Sequence, residues 1–142
     1  MGTAPLFMND YKALNNRVFL LNLYSGKIDL NLESNYDFLI LVDKESDSDF
    51  IRKQVLNLVA TGEFAYHLYG IHAEKWEKEF LNQIETLSIN HPHGAVYRHE
   101  TLQSICEHFN KEKNLRTLVP FEIVVIYDCE DLLNEFLMSS QS

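Results

Sequence analysis

The sequence predicts a single three-layer α/β domain, a short, mostly parallel sheet with helices on both faces. Two apolar runs carry that prediction. Residues 36–42 (YDFLILV) and 121–127 (FEIVVIY) lack polar alternation over most of their length, the pattern of parallel strands covered on both sides. Helical periodicities separate them from each other and from a third run, residues 64–69 (FAYHLY). The order after residue 35 is therefore β-α-β-α-α-β-α. At 142 residues the chain suits one core, and two would each be marginal.

The elements come in chain order. Residues 1–10 are expected to be a disordered N-terminal segment, leaving 11–142 as the domain. Residues 17–24 (RVFLLNLY) form a β-rich run ended by the turn signal Ser25-Gly26. Residues 27–32 (KIDLNL) alternate with period two, so the pair is expected as an antiparallel hairpin at one sheet edge. After the strand at 36–42, a polar loop offers Ser46, Asp47 or Ser48 as the cap of a helix. That helix has the stripe Ile51, Val55, Leu58 and Val59 and ends at Gly62. The strand at 64–69 closes at Gly70. A second helix spans 73–87 and is expected to bury Trp76, Phe80, Leu81, Ile84 and Leu87. Residues 90–94 read as a loop, because Pro92 cannot continue the helix. A third helix, 100–113, carries Leu102, Ile105, Cys106 and Phe109. A fourth, 128–138, carries Leu132, Leu133, Phe136 and Leu137. Right-handed crossovers favour the strand order 2-1-3, with 36–42 between 64–69 and 121–127.

Charge narrows the partners. Twenty-one acidic against twelve basic residues give a net charge of −9. Such a surface repels phosphates and anionic lipid, so neither direct nucleic-acid binding nor membrane binding is expected. Basic proteins or metal cations are favoured instead. Solubility alone is the plainer reason for an acidic chain. No apolar stretch has membrane-spanning length, and the N-terminus lacks a secretory signal pattern, so a cytoplasmic location is expected. Cys106 and Cys129 are then expected as reduced thiols.

Ligands in open α/β sheets bind beyond the carboxyl ends of the strands, where the topology switches. Residues 36–42 and 121–127 are followed there by Asp43 and Asp128. Glu45, Asp47 and Asp49 lie beyond the first, and Glu130 and Asp131 beyond the second. One acidic rim results, suited to a basic partner. Asp47, Asp49, Glu130 and Asp131 also suit the first turns of helices, where the helix dipole favours carboxylates. That leaves Asp43 and Asp128 as the residues capping does not explain. Alternation places Tyr66 and Leu68 on one sheet face and His67 and Tyr69 on the other, so Tyr69 and His72 are candidates for contacts beside the rim.

Enzymatic chemistry has little support. There is no GxGxxG or GxxxxGK[ST] phosphate cradle, no nucleophile elbow around Ser46 or Ser48, and no receiver-type acidic pair. His91, His93, His99, Cys106 and His108 crowd one stretch, but without Cys-x₂-Cys or His-Glu-x-x-His spacing. No catalytic residue, metal site or cofactor is assigned on this reading.

Residues 38–80 (FLILVDKESDSDF…LYGIHAEKWEKEF) resemble a small bacterial α/β domain without known activity. The shared features are a strand ending in Val42-Asp43, a helix, Gly62, an aromatic strand ending at Gly70, and Trp76 in a helix. In character, small, acidic and free of motifs, the chain is similar to immunity proteins of bacterial toxin systems. The resemblance implies a non-enzymatic binding module that neutralises a basic toxin, and it assigns no residue a role. Two alternatives stand beside it. One is a regulatory or nucleic-acid-mimicking module of a defence operon. The other is a divergent Mg²⁺-dependent phosphotransfer or hydrolytic enzyme using Asp43 and Asp128. A homodimer through the edge hairpin is the further partner left open.

Overall fold

The structure, a computed structural model, describes residues 8–11, 16–24, 36–59, 65–87, 95–115 and 122–140. In chain order these form β1 (Met8–Tyr11), β2 (Asn16–Asn22), β3 (Tyr36–Leu41), α1 (Ser48–Val59), β4 (Ala65–Tyr69), α2 (Ala73–Leu87), β5 (Ala95–Arg98), α3 (Leu102–Leu115), β6 (Glu122–Tyr127) and α4 (Glu130–Ser140). The strands make one six-stranded sheet of order β1-β2-β6-β3-β4-β5. β2, β6, β3, β4 and β5 run parallel, and β1 pairs antiparallel with β2.

The fully apolar strands sit in the middle because both of their faces are covered. Phe38, Ile40 and Val42 pack with Val124, Ile126, Tyr66 and Leu68 beneath α1 and α2, against Ile51, Val55, Leu58, Trp76 and Phe80. On the other face Leu39, Leu41, Ile123, Val125 and Tyr127 pack under α3 and α4, against Ile105, Phe109, Leu132, Leu133 and Phe136. β3 lies between β4 and β6, where the crossover argument places it. No helix among the described residues is long and apolar enough to cross a membrane.

Four expectations are corrected. The parallel sheet has five strands rather than three, because β2 and β5 join it. β2 is not the edge strand of an antiparallel hairpin. It lies inside the sheet and runs parallel to β6, in register from Val18↔Ile123 to Asn22↔Tyr127. The cause is visible in RVFLLNLY: Val18 and Leu20 are buried on one face, Leu21 and Leu23 on the other, as an internal strand requires. Its antiparallel neighbour β1 precedes it and takes in Met8, Asn9 and Asp10 of the segment expected to be disordered. The expected strand at 27–32, Gly62 and the 90–94 loop lie outside the described residues. Finally, Leu81 is 52% exposed. It stands a full helical step of about 100° beyond Phe80, off the stripe formed by Ala73, Trp76, Phe80 and Ile84.

Candidate functional site

Two groups of chemically capable side chains stand out, one at the carboxyl end of the sheet and one beneath α3. At the carboxyl end, β3 and β6 are parallel neighbours, so the residues after them share one lip. Asp128 is buried there. Its Oδ1 accepts from the Asp43 amide and its Oδ2 from the Lys44 amide, each at 2.9 Å. Asp43 repeats the arrangement one strand along, its Oδ1 accepting from the Ile71 amide at 2.9 Å. The strand-tip aspartates that helix capping does not explain are therefore staples, each tying the next loop across the sheet.

Gly70 lets that joint close. Its φ of 130° lies where side chains are strained, and a Cβ there would sit 2.7 Å from the Val42 carbonyl carbon and 2.9 Å from Asp43 Oδ1. The Val42 carbonyl accepts instead from the His72 amide at 3.0 Å, and the Tyr69 carbonyl from the Val42 amide at 2.9 Å.

The other rim residues divide by exposure. Asp47 caps α1, its Oδ1 accepting from the Phe50 amide at 2.8 Å. Asp49 pairs with Arg52 at 2.8 Å on the helix surface. Glu130 and Asp131 occupy the first turn of α4. With Glu45, these are five exposed carboxylates on one lip. Tyr69 turns away from the lip and packs against the core under α3 and α4, while His72 is half-buried at the start of α2. Two apolar groups have no clear signal in the sequence. Ile71 is 77% exposed beside the Asp43 staple, and Tyr24, half exposed after β2, lies 5.7 Å from the Phe50 ring. Both come after strand ends, where alternation no longer tells inside from outside.

The second group is a histidine cluster on the opposite sheet face. His67 of β4 is fully buried, His99 nearly so, and His108 of α3 half-buried. One ring nitrogen from each lies within 4.8 Å of the others. His67 Nδ1 and His99 Nε2 are 2.9 Å apart and share a hydrogen bond. Their outer nitrogens face polar groups, one of them at hydrogen-bond distance. His99 Nδ1 is 2.9 Å from Ser104 Oγ, and His67 Nε2 is 4.0 Å from Oδ2 of the buried Asp37. One set of tautomers runs through all four groups: Ser104 donates to His99, His99 donates to His67, and His67 turns its remaining N–H toward Asp37.

Rings wall the cluster. Tyr97 lies 5.0 Å from His67 and 4.5 Å from His108, and Phe109 lies 4.5 Å from His67. Burial, with His108 adding to it, lowers the His99 pKa to about 4, so the imidazole is neutral at pH 7. A base that weak would do little to activate the Ser104 hydroxyl. Burial, and then Glu107, push the nearby Cys106 thiol up, which favours S–H over thiolate.

Alternation alone sends His67 to this face, but its partners carry no such signal. His99 comes just after β5, a strand of only four residues with no apolar stripe, and Asp37 sits inside a run that reads as core. No family model matches the chain, and neither a curated protein nor a solved structure matches it.

Proposed function

We propose that the chain is a non-enzymatic protein-binding module that docks a basic protein partner on its carboxyl-end lip, in the cytoplasm, as an immunity protein docks its toxin. One observation carries this reading: the lip is pre-organised. Asp128 and Asp43 spend their carboxylates on backbone amides of neighbouring loops. Glu45, Asp47, Asp49, Glu130 and Asp131 stay exposed around Ile71 and Tyr24. A stiff scaffold lowers the ordering cost of association, the carboxylates steer a cationic surface, and the apolar groups supply desolvated contact. The net charge of −9 acts in the same direction at long range.

The test uses the product of the neighbouring gene, where a cognate toxin is expected. Its association rate with this chain should fall at least tenfold as salt rises from about 0.05 to 0.5 M. The double substitution Glu45→Lys, Asp131→Lys should lower that rate in dilute salt and leave the fold unchanged. A rate indifferent to salt and to the charge reversal overturns the reading.

A further inference from the structure

We propose that His67, His99 and His108 bind a single first-row divalent metal ion of the zinc type, with Asp37 and Ser104 orienting two of the three imidazoles from outside. This site stands on the histidine cluster alone and is independent of the acidic lip.

The donor set selects the metal. Three imidazole nitrogens with no carboxylate or thiolate among them suit zinc, cobalt, nickel or copper, and not the oxygen-seeking magnesium or calcium. Cys106 is not among the side chains whose ligand atoms converge there. Three protein ligands are also the number found in open zinc sites, which leave a coordination position for water.

The spacing is close to what such an ion needs. Zinc–imidazole bonds of about 2.0–2.1 Å place two nitrogens on one tetrahedral ion about 3.4 Å apart. The His67–His99 pair at 2.9 Å lies about 0.5 Å inside that value, and the 4.8 Å bound on the whole set lies about 1.4 Å outside it. A change of rotamer at half-buried His108, on the covering helix, brings the third nitrogen in. His67 is held within β4, and His99 by its amide, which donates to the Leu68 carbonyl at 2.9 Å.

The outer groups stand on the side a metal-bound histidine needs, Ser104 at hydrogen-bond distance and Asp37 at 4.0 Å. Such a histidine presents one nitrogen to the ion and donates its other N–H to a carboxylate, carbonyl or similar acceptor. His67 Nδ1 and His99 Nε2 point at each other, while Asp37 and Ser104 stand at the opposite nitrogens. When the ion replaces the proton between the two rings, His99 shifts to the tautomer protonated at Nδ1, and the Ser104 hydroxyl rotates from donor to acceptor. Asp37, buried beside His67, offsets part of the positive charge that the ion introduces.

The experiment uses the untagged full chain, treated with chelator and then titrated with Zn²⁺ by calorimetry and with Co²⁺ by visible absorption. One equivalent should bind, with Co²⁺ bands of a nitrogen-ligated, four- or five-coordinate site, and Zn²⁺ should raise the Tm. His108→Ala, at a half-buried position of α3, should weaken binding at least ~100-fold, more than the loss of an outer partner costs. Should that variant fold poorly, His108→Gln should likewise lose the Tm response to Zn²⁺. The double variant His91→Ala, His93→Ala should bind as the original does. The proposal is overturned if the chain binds neither ion in the micromolar range. It is equally overturned if the His108 variants bind unchanged, or if binding disappears with His91 and His93 instead.

Discussion

A buried carboxylate that accepts two amides is worth more to a fold than an exposed one that steers a partner. Asp128 holds the Asp43 and Lys44 amides from a position only 3% exposed, so its loss strands two donors at the sheet end. Asp128→Ala should cost about 2–3 kcal/mol, read as a lower urea midpoint at unchanged m-value. Asp128→Asn should recover only part of that, since its NH₂ faces an amide that also donates. An unchanged midpoint would mean that no staple operates at this lip. The lip thus has a division of labour. Residues resembling one another in sequence, seven acids after two strands, split into two that hold loops and five that face solvent.

Between elements, legibility tracks burial. β3, β6 and α2 are readable because each has one unbroken apolar pattern; the predicted limits 73–87 for α2 coincide with those observed. β5 is not, because an edge strand of four residues needs no apolar face. Arg98 there points outward to Glu77 and Glu100, at 3.2 and 3.3 Å, which reads as loop in sequence. The acidic lip is legible once two strands are taken as parallel neighbours. The histidine cluster is not, since it joins β3, β4, the residue after β5 and α3 through tertiary packing alone. α2 gives a direct check of the helical phase. Leu81→Lys should change stability by no more than about 0.5 kcal/mol, whereas Phe80→Ala should cost about 3–5 kcal/mol in the same thermal or urea unfolding measurement. Comparable costs at the two positions would contradict the packing described.

At the scale of the whole molecule, the buried imidazole ties stability to acidity. Unfolded, His99 takes up a proton below about 6.5; folded, it resists until about 4. The unfolded chain therefore binds more protons between those values, and the metal-free protein should lose stability as pH falls from 6.5 to 4. This group adds no further dependence outside that window. Urea midpoints at pH 7, 5.5 and 4.5 on the original chain and on His99→Gln test this, and parallel slopes for the two would refute it. The β2–β6 ladder has a consequence of another kind. Among the described elements β2 precedes every helix, yet its parallel neighbour is the last strand in chain order. While the ribosome is still at work, that apolar strand must wait, with only β1 beside it, until β6 emerges. Birth of the protein thus passes through an interval of exposed stickiness, when a chaperone has most to offer it.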